Sequence, residues 1–295
     1  MTLSGFECSL FDDTNLQLGE GPTYDPETDT AWWFDISGSR LLELKLGDKH
    51  TRVHELPFMA SALAVIDEDR QLLATEHGLF TRSIRDGSFE LHTAIESDNP
   101  STRSNDSRVH PCGAFWIGTM SKSTEANAGS IYHFFRGELR RLYTDITVPN
   151  ATCFSADGSV GYFTDTPTGV VMRVSLDPAT GLPEGQPQPF IVREDSDPGW
   201  ADGAVMDADG LLWIARWEGS CVQAFDSSGT VAETIELPAL QVTCPAFVGT
   251  DASQMIVTTA AGGLDEQEMS RQPLNGNTFL LNRHVNGRLE PKVLL

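Results

Sequence analysis

The run Ala31-Trp-Trp-Phe-Asp35 is short, apolar and aromatic, follows a polar turn, and has five counterparts further along the chain. They are Gln71-Leu-Leu-Ala-Thr75, Ala114-Phe-Trp-Ile-Gly-Thr119, Gly161-Tyr-Phe-Thr-Asp165, Leu211-Leu-Trp-Ile-Ala215 and Gln254-Met-Ile-Val-Thr-Thr259. Marked by Trp33, Leu73, Trp116, Phe163, Trp213 and Ile256, the runs recur at intervals of 40, 43, 47, 50 and 43 residues. A repeat of about 45 residues, rich in Trp, Phe, Val, Ile and Thr, is the signature of propeller blades. Asp157-Gly158 and Asp209-Gly210, placed just before two of the runs, are hairpin dipeptides. A further strand pattern follows each run, as in Arg40-Leu-Leu-Glu-Leu44 or Cys221-Val-Gln-Ala-Phe225. An alternating one comes next, as in Thr51-Arg-Val-His-Glu-Leu56. The spacing predicts an all-β chain folded as a six-bladed β-propeller, with about four strands per blade around a central channel. Phe6 to Phe11 would complete the last blade and close the ring, and Asp177 to Gly199 reads as an extended loop between the outer strands of one blade. The aromatic stripe is accounted for by packing between blades.

A chain of 295 residues has the length of two ordinary domains. Six repeats instead fill residues 1–295 as one propeller domain. Lys and Arg number 20 against 42 Asp and Glu, a net charge of −22, in a chain that is 40% hydrophobic and 21% charged. That is a globular composition under an acidic surface. Such a surface repels phosphate backbones and anionic lipid, which argues against nucleic-acid and membrane partners. No apolar run approaches the ~18 residues of a membrane span, and the first ten residues lack the apolar core of a signal peptide. Cys8, Cys112, Cys153, Cys221 and Cys244 are odd in number and widely spaced. They read as free thiols of a cytoplasmic protein.

The first strand of a propeller blade borders the central channel, so residues at its start share one rim. Taking the aromatic runs as those strands and counting back 11 to 13 residues from each marker gives Glu20, Ser61, Asn105, Asn150, Asp202 and Pro245. Four of the six blades thus place a carboxylate or carboxamide at one rim. Several acids near one axis are costly unless a cation neutralises them. Glu20 and Asp202 would balance a divalent charge, Asn150 would add a neutral carbonyl oxygen, and three protein ligands would leave positions open for water and substrate. Oxygen donors suit calcium, magnesium or manganese, and carboxylate sites also take zinc. Asn, Asp and Gly in such positions are equally turn formers, and the spacing alone leaves both readings open.

The same segments resemble the SMP-30/gluconolactonase family, the regucalcin-like lactonases. The likeness runs from Gly19-Glu20-Gly21-Pro22 through Phe34-Asp35-Ile36, Arg103-Ser-Asn105-Asp106, Trp116-Ile-Gly-Thr-Met120 and Phe163-Thr-Asp165-Thr166. It continues through Ala201-Asp202-Gly203 and Leu212-Trp-Ile-Ala215 to Thr258-Thr-Ala-Ala-Gly-Gly-Leu264 and Arg271-Gln-Pro273. The resemblance implies a six-bladed propeller that binds one divalent cation, calcium first, and opens a sugar lactone to its aldonic acid. By that likeness Glu20, Asn150 and Asp202 are metal ligands, Arg103 and Asn105 bind substrate, and Glu125 matches a further substrate contact. The chain departs from the family where Ser107 and Ala151 stand in place of glycines and His110 in place of an aspartate, and loss of glycine restricts backbone φ at the rim.

The mechanism implied is metal-assisted lactone hydrolysis, with a small-molecule sugar lactone as partner and Asp202 as general base. Asp106 reads as a turn-stabilising residue, and His77 and Cys153 as structural; Trp217 and Glu218, which follow the fifth run, fit a pocket wall and turn packing alike. No Gly-x-Ser-x-Gly elbow, His-Glu-x-x-His, Walker loop or dinucleotide fingerprint is present. Two other functions fit the same fold: hydrolysis of another ester or an organophosphate, and a non-enzymatic calcium-binding or interaction role. The Arg103-Asn105 pair favours an enzyme, because a structural cation needs no substrate clamp.

Overall fold

In the computed structural model, which describes residues 3–295, twenty-four strands form six four-stranded antiparallel sheets. The first blade runs outward from the axis as Gly19–Asp25, Thr30–Asp35, Arg40–Lys45 and Arg52–Glu55. Four more blades repeat this meander. The sixth takes three strands from the end of the chain, and Cys8–Asp12 pairs antiparallel with Thr278–Leu281 as its outermost strand. The two ends of the propeller are thereby held in one sheet, and among the described residues no helix is long and apolar enough to cross a membrane.

Alternate residues of a strand point to opposite faces of the sheet, and the aromatic runs use both. Trp32 packs with Phe34, Leu41, Leu63 and Leu73 between the first and second blades. Its neighbour Trp33 packs with Leu42, Ala246 and Ile256 between the first and the sixth. Trp116, Phe154 and Phe163 do the same between the third and fourth blades, where the Trp116 indole N–H donates to Gly181 O at 3.0 Å. Six such apolar clusters separate the six pairs of neighbouring blades. The stripe is packing, as the sequence suggested.

The strand phase differs from the sequence reading. Each aromatic run is the second strand of its blade, and the innermost strand is the segment that carries the polar rim residues. Gly21-Pro22, Pro149 and Gly203 interrupt the β pattern of those inner segments, which is why they read as turns. The stretch Asp177 to Gly199 is likewise more than a loop, since Gln188–Val192 within it forms the fourth blade's outer strand. The hairpin glycines Gly158 and Gly210 sit at φ +72° and +83°, as their turns require.

Trp116→Ala removes a fully buried indole and its hydrogen bond from the seam between two blades. We expect a loss of about 3–5 kcal/mol in unfolding free energy, read from the denaturant midpoint, with the native circular dichroism spectrum retained.

Candidate active site

All six innermost strands break register with their partners at one level. The breaks lie between Glu20 and Thr23, Ala60 and Ala62, Ser104 and Ser107, Asn150 and Cys153, Ala201 and Ala204, and Val242 and Cys244. A bulge re-aims the side chains beside it and frees backbone groups from the ladder. Here it turns Glu20, Asn105, Asn150 and Asp202 into one cavity of about 320 Å³ at the end of the channel. Blades two and six contribute hydroxyls that tie inner strands together. Ser61 donates to Asn105 O at 2.7 Å, and Thr243 donates to Gly19 O at 2.5 Å. In the sixth blade it is Thr243, two residues ahead of Pro245, that occupies the level of the break.

Glu20, Asn150 and Asp202 are 7%, 5% and 5% exposed, so each is withdrawn from bulk water. Among the described residues, no Lys, Arg or His nitrogen lies within 4 Å of either carboxylate. Burial, then repulsion from Asp106, pushes the Glu20 carboxyl up to about 8. Burial, then repulsion from Glu20 and Asp106, holds Asp202 well above the usual carboxylate range. Two acids destabilised as anions and a carboxamide in one cavity form a hard donor set that wants a divalent cation. The residues fit one. Asn150 is held by both ends of its amide: Nδ2 donates to Thr166 Oγ1 at 2.9 Å, and Oδ1 accepts from Asn105 Nδ2 at 3.0 Å, leaving one lone pair free.

Arg103 donates through Nη1 to Asn105 Oδ1 at 2.7 Å and to Ser104 O at 2.8 Å, which fixes the two side chains as a unit on the cavity wall. Burial lowers the Arg103 guanidinium to about 10, so it stays cationic near neutral pH. Glu125 is not brought to the cavity: it is exposed on the loop after Phe115–Ser121, and Thr124, at φ +58°, lines the wall instead. His77 is exposed in the turn between two strands of the second blade and does not line the cavity. Cys153 is buried, and its thiol is pushed up to about 12 by burial, consistent with an inert group.

Asp106 has a different part from the local turn expected of it. Its Oδ2 accepts the Thr152 N–H at 2.7 Å across the gap between the third and fourth blades. This satisfies a donor that the bulge beside Asn150 takes out of the ladder. Within that bulge Ala151 sits at φ +53°, the strained conformation that the missing glycine implied, while Ser107 has no positive φ. Met120, Val148, Thr166 and Trp217 also line the cavity, and of these the sequence offered only Trp217, as one of two readings. The signal for three of them is positional: Val148 precedes Asn150 by two residues, and Met120 and Trp217 pair with Arg103 and Trp200.

Residues 18–261 match the SMP-30/Gluconolactonase/LRE-like region. A Rhizobium meliloti protein assigned by name as a sugar lactone lactonase is 49% identical over 93% of each chain. The pentonolactonase of Haloferax volcanii is 34% identical over 94% of this chain and 95% of its own. Among solved structures, the calcium-binding protein regucalcin of Agrobacterium tumefaciens is 47% identical, with a TM-score of 0.96 over 98% of both chains. With the family's region reaching all six blades and a 49% identical relative matched over 93% of each chain, the chain belongs to the SMP-30/gluconolactonase family.

Proposed function

We propose that the protein hydrolyses the ring ester of a sugar lactone to the aldonic acid, with a divalent cation, calcium first, held by Glu20, Asn150 and Asp202. The observation that carries this reading is the convergence of two unpaired buried carboxylates and a carboxamide on one cavity walled by the Arg103-Asn105 pair. The names of the relatives, lactonases among them and one calcium-binding protein, point the same way.

When bound, the cation supplies Lewis-acid polarisation of the ester carbonyl and lowers the pKa of water. The chain supplies the rest. Arg103 donates to the lactone's oxygens, and Asn105, whose two amide N–H groups already go to Pro149 O and Asn150 Oδ1, accepts a sugar hydroxyl at Oδ1. A carboxylate oxygen of Asp202 accepts the proton of the attacking water, and the buried Arg103 guanidinium offsets charge on the nascent acid. Burial of the cavity keeps the number of competing waters small.

The test is acid release from a panel of aldonolactones by protein that has been chelated and then restored with single divalent metals. Turnover should vanish on chelation and return with at least one metal. A rate no greater than spontaneous hydrolysis on every lactone would overturn the reading. Asp202→Ala should lower kcat by about 10²–10⁴, and in the chelated protein near neutral pH the thermal unfolding midpoint should be at or above that of the wild type, because a buried, repelled carboxyl is removed.

A second prediction follows from the raised carboxyls. In cation-free protein the folded state keeps protons on Glu20 and Asp202 that the unfolded chain releases near pH 4.5 and 3.8. Stability therefore falls as pH rises from there towards about 8. A cation displaces those protons, so its binding stabilises more as pH rises. Added calcium should raise the unfolding temperature more at pH 8 than at pH 5.5, and equal increments at both would contradict the assignment.

A further inference from the structure

Asn150 can serve as an oxygen ligand only if its amide faces one way. Turned end for end the group keeps its shape but offers an N–H where the carbonyl oxygen stood, so hydrogen bonding alone decides between the two. A relay of hydrogen bonds across three neighbouring blades makes that decision. In the third blade Arg103, which has only donors, gives an Nη1 proton to Asn105 Oδ1 at 2.7 Å. The amide nitrogen of Asn105 therefore points onward, and its two protons go to Pro149 O at 2.9 Å and to Asn150 Oδ1 at 3.0 Å. In the fourth blade Asn150 Nδ2 donates to Thr166 Oγ1 at 2.9 Å. The Thr166 hydroxyl has one proton, and it is committed to Ala201 O of the fifth blade at 3.0 Å. A backbone carbonyl only accepts, so the Thr166 oxygen is left to accept from Asn150. The relay thus starts at a group that only donates and ends at one that only accepts, and each amide between them is held in a single direction.

The receiving end of the relay is built to stay in place. Thr166 opens the short 3₁₀ turn Thr166–Thr168, donates its own N–H to Val148 O at 2.9 Å, and is followed by Pro167, whose ring fixes φ. Gly169, at φ +67°, closes the turn on Thr166 O at 3.0 Å. Ala201 stands where the inner strand of the fifth blade breaks register, immediately before Asp202. We infer that Thr166 is a positioning residue for the cation: its hydroxyl turns the Asn150 carbonyl oxygen to the cavity and ties that ligand to the backbone beside Asp202. The inference rests on the metal reading above, and it assigns to Thr166 no contact with the cation itself. From Asn105 to Ala201 every group in the relay is neutral, so the effect is one of direction and not of charge. Outer partners of this kind commonly contribute about 10–100-fold to metal affinity.

The test is calorimetric titration of calcium into chelated protein, with manganese, magnesium and zinc tried in turn where calcium does not bind. Thr166→Val keeps the shape of the side chain and removes the hydroxyl, and it should raise the Kd about 10–100-fold. Thr166→Ala should do the same, and it replaces Thr166→Val in the comparison should that protein not fold. Thr166→Ser, which keeps the hydroxyl, should stay within about 3-fold of the wild type. A wild-type Kd in the variants without the hydroxyl overturns the inference, as does a loss in Thr166→Ser equal to theirs. If the wild-type protein binds none of the four metals, the metal reading itself has failed. The relay is then read from hydrogen exchange of the Asn150 side-chain amide in nitrogen-15-labelled, cation-free protein. Exchange at least about 10-fold faster without the hydroxyl than in the wild type and Thr166→Ser supports the relay, and equal exchange in all of them overturns it.

Discussion

Neighbouring inner strands approach one another so closely around the axis that little more than a hydrogen atom fits after Glu20 and Asp202. A Cβ on Gly21 would run into the Ser61 carbonyl, and one on Gly203 would meet the Cys244 side chain of the next blade. Gly21 also sits at φ +54°, so it is needed both for space and for backbone conformation. The third position in this set is Ala151, which tolerates the methyl in space but adopts φ +53° at a cost of about 1–2 kcal/mol. The pattern of acid or amide followed by a very small residue is therefore set by packing of the inner ring. Larger residues there would push the strands apart and turn the ligand side chains away from the axis.

That tight ring also explains how so many charges coexist near one line. Glu20 and Asp202 occupy the cavity, Asp106 lies behind them, and Arg108 follows on the same strand as Asp106. Arg108 is buried, donates to Ala204 O at 3.1 Å, and pairs with Glu290 at 2.8 Å. Glu290 belongs to the C-terminal segment, which is anchored to other blades by Val293 N to Val65 O and Leu294 N to Gly113 O, both 2.9 Å. Arg288 of the same segment donates to Phe154 O and Met206 O. The far side of the channel is thus covered by the chain's own end, and the buried guanidinium has carboxylates on both sides. Each of those acids is less costly for its presence, since a buried charge is tolerable only when paired or hydrogen-bonded.

What could be read from the sequence follows from the range of each signal. The blade count came from Trp33, Trp116, Phe163 and Trp213, because inter-blade packing demands a bulky residue once per repeat and strand alternation makes it periodic. Glu20, Asn150 and Asp202 were legible because they recur in phase. The inner strand itself was not, since Gly21, Pro22, Pro149 and Gly203 weaken a strand signal for the very reason that the site exists: the bulge. Asp106 was read as a local turn residue because its partner, Thr152, is 46 positions away and in another blade. The apolar wall was half legible: Trp217 fitted a pocket wall and turn packing alike, and its pairing with Trp200, two residues before Asp202, decides for the wall.

The inner ring has two duties at once. The seams between blades are filled by second- and third-strand side chains such as Trp33, Leu42, Trp116 and Ile131, and equally by inner-strand residues such as Tyr24, Leu63, Phe154 and Ala246. The cavity is lined from the same inner segments and the strand ends above them, and Leu18 both lines it and packs against the seam of the first two blades. Core packing and cavity chemistry therefore divide by the face of the strand more than by the strand itself. Substitutions at the small residues beside the ligands disturb both, because there the inner ring is the packing contact and the support of the site. At Gly21 and Gly203, where an added Cβ meets the neighbouring strand, the only tolerated changes are those that keep the strands in contact.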